Sequence, residues 1–167
     1  GFGTKYSNPA TLPSNAGRRV VFNSAGNVVA VAHNSSPFVS AYPWSAGFGT
    51  KYADPATLPS DNGYGVAFNP SGTAIAVANE IPSLSSLPSI SVYPWSAGFG
   101  TKYSDPATLP SGSSSGVAFN SSGNTIAVSH SGSPYISAYP WSSGFGTKYA
   151  DPTTLPSAIG ISVTFTN

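Results

Sequence analysis

One stretch organises the chain, Gly47-Phe48-Gly49-Thr50-Lys51-Tyr52-Ala53-Asp54-Pro55-Ala56-Thr57-Leu58-Pro59. It recurs almost unchanged at residues 1–13, 98–110 and 144–156, so that successive copies begin 46, 51 and 46 residues apart. A fixed period of about 20–50 residues is typical of repeat architectures, in which each unit buries its apolar faces against its neighbours. We therefore expect a single array with units at 1–46, 47–97 and 98–143 and a partial unit at 144–167.

Each unit contains four short apolar stretches separated by turn residues. In the first unit these lie at residues 20–22, 28–32, 38–42 and 48–52. The stretch at 28–32 is apolar at every position, which is typical of a strand that is buried on both faces. The turn before it ends in Gly26, which favours a tight hairpin. With 16 prolines and 18 glycines spread along the chain, no window is left for a helix.

Tandem four-stranded antiparallel units predict an all-β fold, specifically a β-propeller built from blades of about 46 residues. A β-solenoid is the alternative, but its coils are usually shorter and carry parallel strands. Three full blades plus flanking strands fall short of the about 4–8 blades that a ring requires. Either other chains complete the ring or the chain continues beyond Asn167, and we favour continuation.

The repeated motifs resemble those of a known family. Residues 65–78 (GVAFNPSGTAIAVA) are similar to the repeat of WD-repeat-like propellers, and residues 133–139 (SPYISAY) are similar to the motif that follows it. With the N/D-P-A-T-L-P connector, they resemble propeller repeats in proteins of tailed phages and their bacterial hosts, many of them virion-associated or surface proteins. The Trp-Asp dipeptide is missing because Trp44, Trp95 and Trp141 are followed by Ser. The hydrogen-bonded tetrad behind that dipeptide is therefore not expected.

The composition excludes several classes of protein. Charged residues make up 7% of the chain, against about 25% in an average soluble domain. A net charge of +1 gives no electrostatic reason to expect nucleic-acid binding. No apolar run approaches the about 20 residues that a membrane-spanning helix needs, so we expect no membrane insertion. Because cysteine is absent, disulfides and thiolate metal sites are excluded.

The candidates for catalysis and metal binding are weak. His33 and His130 occupy equivalent positions without acidic neighbours in sequence, which favours turn-capping histidines over a metal or acid–base role. The aspartates that precede the connector prolines favour turn formation over a calcium site. No Gly-x-Ser-x-Gly elbow and no complete phosphate-binding glycine motif occurs. We therefore predict no catalytic residue, no metal ligand and no cofactor.

Binding candidates come from the aromatic triplets and from one insertion. Each full unit carries a Tyr-Pro-Trp triplet, which could stack on sugar rings or anchor a partner, although identical recurrence favours packing between blades. The second unit carries five extra residues in the loop after its second strand, and insertions of this kind commonly mark a contact surface. The adjacent Arg18 and Arg19 are also unique to one unit and could meet an acidic partner or form a solvated turn. The candidate binding residues are Tyr42, Tyr93, Tyr139, Trp44, Trp95, Trp141, Glu80, Leu84 and Leu87.

From these features we expect a non-enzymatic structural or adhesive propeller module that presents loops to a protein or surface receptor. Its expected location is extracellular or on a virion or cell surface, and its expected partners are a protein or further copies of itself. The alternative is a lectin-like propeller that binds surface glycans through the repeated Tyr and Trp residues. A propeller-fold hydrolase is the least favoured interpretation, because paired carboxylates are scarce.

Overall fold

Nine strands and no helix form within residues 1–81 and 86–166, the part of the chain that the computed structural model describes. In that part of the chain, therefore, no helix could cross a membrane. The strands pair into three antiparallel sheets in the orders β1-β2-β3, β4-β5-β6 and β7-β8-β9, which we call blades 1, 2 and 3. Their bounds are β1 (Gly17–Phe22), β2 (Val28–His33), β3 (Val39–Pro43), β4 (Gly63–Phe68), β5 (Ala74–Asn79), β6 (Ile90–Pro94), β7 (Ser114–Phe119), β8 (Thr125–His130) and β9 (Ile136–Pro140).

The predicted hairpin and buried central strand are confirmed. Asn23 and Gly26 close the β1–β2 turn, and Gly26 adopts a φ of 69°, which glycine accepts without strain. The Asn23 side-chain oxygen accepts hydrogen bonds from the amides of Asn27 and Val28, both at 3.0 Å. The middle strand of each blade is the most buried, and all six residues of β5 are buried.

The predicted four-stranded blade is wrong, since each blade has three strands. The stretch expected as a fourth strand forms only an isolated bridge between Trp44 and Phe48, with equivalent bridges in blades 2 and 3. Ala46 and Gly47 both have positive φ and turn the chain back sharply after β3. Pro43 has no N–H to donate, so a ladder cannot extend along it. The chain then leaves the sheet as an extended connector.

Neighbouring blades pack face to face through two different surfaces. The rear face of blade 1 presents small side chains such as Ala30, Ala32 and Ala41, and the front face of blade 2 presents larger ones such as Val66 and Ile75. All five are at most 3% exposed. Blades 2 and 3 pack in the same way through equivalent residues. Alternating small and large residues let the sheets approach closely, because the faces interdigitate.

The blades converge at their first strands. β1 contacts β4 and β4 contacts β7, whereas the third strands of neighbouring blades are not in comparable contact. A β-bulge interrupts each first strand at the same place, between Gly17 and Arg19 in β1 and between Gly63 and Gly65 in β4. Bulges re-aim side chains and are frequent near functional sites. The bulged residues therefore project along the line where the blades meet.

Candidate functional site

The three predicted tyrosines are structural. Tyr42, Tyr93 and Tyr139 are at most 1% exposed. The Tyr93 hydroxyl donates a 2.8 Å hydrogen bond to the Thr57 carbonyl oxygen in the connector, and the tyrosines of the other blades do the same with Thr11 and Thr108. Burial raises the pKa of all three hydroxyls, and that of Tyr139 reaches about 12. These rings fasten each connector to its sheet and present no surface to a ligand.

The predicted tryptophans lie in aromatic clusters that repeat from blade to blade. Trp95 meets Tyr52, Phe68 and Phe99 edge to face, with ring centroids 5.1–5.4 Å apart. Such arrangements are favourable for aromatic pairs beyond the area that they bury. Trp95 and Trp141 are only 6% exposed, and Trp44 is half-buried. The three tryptophan side chains therefore pack between repeats.

The inserted loop is described in part. Leu84 lies outside the described residues, and Leu87 is 48% exposed. Glu80 is half-buried, and its Oε2 accepts hydrogen bonds from the Asn62 amide at 3.0 Å and from the Tyr64 hydroxyl at 3.3 Å. Glu80 is thus a predicted site residue that the structure joins to two other polar side chains, Asn62 and Tyr64.

The predicted turn-capping role of the histidines is confirmed. Nδ1 of His33 lies 3.0 Å from the Asn34 carbonyl oxygen, and Nε2 lies 3.0 Å from Ser40 Oγ. His130 makes the same two contacts in blade 3, where burial lowers its pKa. Among the described residues no cluster of His, Cys, Asp or Glu could hold a metal ion.

Most charged side chains of the chain neutralise one another in pairs. Each repeat of the Lys-x-x-Asp motif forms a local ion pair, and the first copy replaces the acid with Asn8, which accepts a hydrogen bond from Lys5. The pairs are Lys51–Asp54, Lys102–Asp105 and Lys148–Asp151. Five acidic and six basic residues are present in total, so Lys5, two arginines and two acids remain outside these ion pairs.

Four of these five residues, Arg18, Arg19, Asp61 and Glu80, lie near Tyr64. The Arg18 guanidinium carbon lies 5.2 Å from the centre of the Tyr64 ring. Burial raises the pKa of the Tyr64 hydroxyl, and the Glu80 carboxylate beside it raises it further, with a smaller contribution from Asp61. Neither arginine forms an ion pair with any residue in the described ranges. Four of the five charged residues outside these ion pairs are thus concentrated in one place.

The bulges create this arrangement. Arg18 and Tyr64 are the bulged residues of β1 and β4, so each side chain leaves the regular alternation of its strand. In blade 1 Arg18 Nε donates a 3.0 Å hydrogen bond to Asn34 Oδ1, and in blade 2 the equivalent pair is Tyr64 and Glu80. One repeated position has therefore been filled with different polar groups in adjacent blades.

A groove of about 270 Å³ runs beside these side chains, along the first strands of the blades. Gly65 forms part of the floor of the groove and leaves no room for a side chain, because an added Cβ would lie 3.0 Å from the Gly116 Cα. The groove is lined by Arg18, Arg19, Tyr64, Gly65, Val66, Ser115, Gly116, Val117, Ile161, Ser162 and Val163. Two guanidinium groups at one end make it suited to an anionic ligand.

Sequence reasoning found this site only in part. Glu80 was a predicted binding residue, and Arg18 and Arg19 stood out as departures from the repeat. Tyr64, Asn62 and Asp61 were missed, although comparing the same position in all units gives Arg18, Tyr64 and Ser115. The difference in residue type at this repeated position was the available indication.

Solved structures of known proteins share the fold. One is a protein from Bacteroides fragilis NCTC 9343 named "putative 6-phosphogluconolactonase", with a TM-score of 0.71 and 14% identity over 94% of this chain. Another, of the same name, comes from Bacteroides uniformis ATCC 8492, with a TM-score of 0.62 and 15% identity over 83% of this chain. The chain spans 44% and 40% of their lengths. No protein-family model and no curated protein sequence matches.

These neighbours correct the functional expectations. The predicted non-enzymatic structural or adhesive module, its lectin-like alternative and the phage and adhesion assignments are contradicted, because both proteins that share the fold are named "putative 6-phosphogluconolactonase". At 14% and 15% identity the similarity establishes an all-β fold of three-stranded antiparallel sheets. The extracellular location and the protein partners stay predictions.

Proposed function

We propose that this chain contributes the substrate groove of a hydrolase that opens a phosphorylated sugar lactone. The observation that carries the proposal is the position of Arg18 and Arg19 in the groove beside Tyr64, whose hydroxyl donates a hydrogen bond to Glu80. The names of the two structural neighbours supply the reaction class. The groove supplies positive charge for a phosphate, and the Glu80 carboxylate beside Tyr64 supplies a base for activation of water.

The arginines are suited to the phosphate group. A guanidinium presents several N–H donors in a planar fork that matches two phosphate oxygens. Arg19 is exposed and, within the described part of the chain, makes no hydrogen bond or ion pair that would compete with a ligand. Arg18 is held over the Tyr64 ring, which fixes its position beside the groove.

Glu80 is suited to act as the general base. Asn62 and Tyr64 both donate to its Oε2, whereas Oε1 accepts no hydrogen bond from a described residue and can face a water molecule. The carboxylate takes a proton as the water oxygen bonds to the lactone carbonyl carbon. The ring C–O bond then breaks, and the proton passes to the departing alkoxide oxygen, which leaves the open-chain acid.

Two measurements test the proposal. The chain is assayed for hydrolysis of 6-phosphogluconolactone above the spontaneous rate, and binding of the product 6-phosphogluconate is measured by calorimetry. Arg19→Gln should weaken product binding about tenfold, the loss of one charge-assisted hydrogen bond. Glu80→Gln should abolish hydrolysis and leave product binding in place.

Lys102→Gln is the matched control, because it removes the same charge from a side chain already paired with Asp105. It should change neither measurement. Equal effects of Lys102→Gln and Arg19→Gln would show that binding follows overall charge, and an absence of binding by the unmodified chain would overturn the proposal.

A further inference from the structure

The side-chain amide of Asn62 joins two blades beside the candidate base. Its Nδ2 donates the 3.0 Å hydrogen bond to Glu80 Oε2 within blade 2. Its Oδ1 accepts a 3.1 Å hydrogen bond from the backbone amide of Ser35, in the β2–β3 loop of blade 1. The Glu80 amide also donates a 2.8 Å hydrogen bond to the Asn62 carbonyl oxygen. One side chain therefore ties the Glu80 carboxylate to the backbone of the neighbouring blade.

The two partners of Asn62 select one orientation of its amide. An asparagine side chain accepts only at Oδ1 and donates only at Nδ2. If the amide were turned over, Nδ2 would meet the N–H of Ser35 and Oδ1 would meet a carboxylate oxygen of Glu80, so both hydrogen bonds would be lost. The Asn62 backbone is fixed as well, because its amide donates a 2.7 Å hydrogen bond to Asp61 Oδ1. The donor that faces Glu80 is thus held from two sides.

The equivalent position in blade 3 shows which part of this contact joins the blades. Asn62 and Ser113 are equivalent, because each carbonyl oxygen accepts a hydrogen bond from the first residue after the middle strand of its blade. Ser113 Oγ accepts a 3.2 Å hydrogen bond from the Ile81 amide of blade 2, just as Asn62 Oδ1 accepts one from Ser35. A serine hydroxyl is therefore sufficient to join two blades at this position. Asn62 adds a second polar atom, Nδ2, and that atom contacts Glu80.

From this comparison we infer that Asn62 is a positioning residue, which holds Oε2 of Glu80 and so leaves Oε1 to accept the proton of the attacking water. The inference rests on the proposed function, in which Glu80 is the general base. Tyr64 donates to the same oxygen over a longer distance of 3.3 Å and does not reach blade 1 through a hydrogen bond in the described part of the chain. A base must be aligned with the proton that it removes, so a carboxylate that loses its shorter hydrogen bond should be a poorer base.

Asn62→Ser tests the inference, because it copies the residue of blade 3. The serine should keep the hydrogen bond from Ser35 and remove the donor to Glu80, with no change of charge. We expect kcat for 6-phosphogluconolactone to fall about 10–100-fold, because the base is no longer aligned. KM and the binding of 6-phosphogluconate should not change. Asn62→Asp should lower kcat further, because its carboxylate would repel that of Glu80.

Asn15→Asp is the matched control. Asn15 Nδ2 donates a 3.1 Å hydrogen bond to Ser35 Oγ, so the variant makes the same change from amide to carboxylate beside Ser35 without a contact to Glu80. It should leave kcat unchanged. An unchanged kcat for Asn62→Ser, or a loss of 6-phosphogluconate binding as large as its loss of kcat, would overturn the inference and leave the proposed function in place.

A nuclear magnetic resonance measurement separates the inference from the proposed function. The hydrogen-bonded side-chain amide proton of Asn62 should exchange with water at least about tenfold faster in Glu80→Ala than in the unmodified chain, because a hydrogen bond to a charged group is lost. If this difference is found in a chain that does not hydrolyse the lactone, the proposed function fails while Asn62 still holds the Glu80 carboxylate. Equal exchange rates in the two chains would overturn the inference whatever the activity.

Discussion

Replacing Asn79 with His should stabilise the protein, because blade 2 lacks a hydrogen bond that the other blades have. In blades 1 and 3 a buried histidine bridges a loop carbonyl and a buried serine hydroxyl, with both distances between 2.9 and 3.0 Å. In blade 2 Asn79 Nδ2 donates to the Glu80 carbonyl oxygen at 2.8 Å. Asn79 Oδ1 and Ser91 Oγ are buried and have no hydrogen-bond partner of good geometry among the described residues.

The size of the effect follows from these unpaired atoms. A buried polar group without a partner costs about 1–3 kcal/mol. An imidazole at position 79 would donate from Nδ1 to the Glu80 carbonyl and accept at Nε2 from Ser91. The substitution also removes the longer 3.2 Å hydrogen bond from Asn79 Nδ2 to the Pro88 carbonyl oxygen. We therefore expect the free energy of unfolding to rise by about 1 kcal/mol in total. For a chain of 167 residues this corresponds to a rise of about 2–4 °C in Tm.

Urea unfolding and thermal melting monitored by circular dichroism provide the assay, and serine substitutions provide the control. Ser40→Ala leaves the His33 Nε2 unpaired and should cost about 1–3 kcal/mol. Ser91→Ala removes an unpaired hydroxyl and should be neutral or slightly stabilising. A lower free energy of unfolding for Asn79→His, or a cost of Ser91→Ala as large as that of Ser40→Ala, would show that the unpaired atoms of blade 2 do not lower its stability.

Three further predictions concern pH and packing. Burial lowers the pKa of His130 below 6.5 in the folded state, so the free energy of unfolding should fall as the pH drops below about 6.5. In urea titrations, the free energy of unfolding of His130→Asn should depend less on pH. Burial raises the pKa of Tyr139 to about 12, so the stabilising contribution of its protonated hydroxyl should be lost as the pH rises from 10 towards 12 in alkaline melting curves. Tyr139→Phe should lower the free energy of unfolding by about 1 kcal/mol at neutral pH, because the 2.8 Å hydrogen bond of the hydroxyl is lost. Gly65→Ala should destabilise by about 1–3 kcal/mol in urea unfolding, because its Cβ would lie 3.0 Å from the neighbouring blade's backbone, whereas Gly3→Ala, with open space around it, should have little effect.

The sequence predicted the repeats, the hairpins and the buried middle strands well, because each depends on local chemistry. The fixed period set the module boundaries, Gly26 marked a turn, and the apolar run at 28–32 marked a strand buried on both faces. The fourth strand was predicted wrongly for a local reason too. Alternation at residues 48–52 resembles a strand, but the positive φ of Ala46 and Gly47 turns the chain away before a ladder can form.

The candidate site was harder to predict because it arises between repeats. Arg18 and Tyr64 are 46 residues apart and meet only because first strands of adjacent blades converge. The bulges that aim them cannot be identified from composition or alternation. The conspicuous Trp95, by contrast, lies inside an aromatic cluster, because recurrence in every unit reflects packing between units.

Distances between outer corners of the blades test the central claim, that near-identical three-stranded blades pack face to face and fan out from converging first strands. The chain has no cysteine, so pairs of cysteines that carry spin labels can be introduced at Ser45, Ser96 and Ser142. The distances between the labels are then measured by double electron–electron resonance. We predict equal distances for the 45–96 and 96–142 pairs and a 45–142 distance clearly shorter than their sum. A 45–142 distance equal to that sum would indicate a straight column of units and would contradict the account.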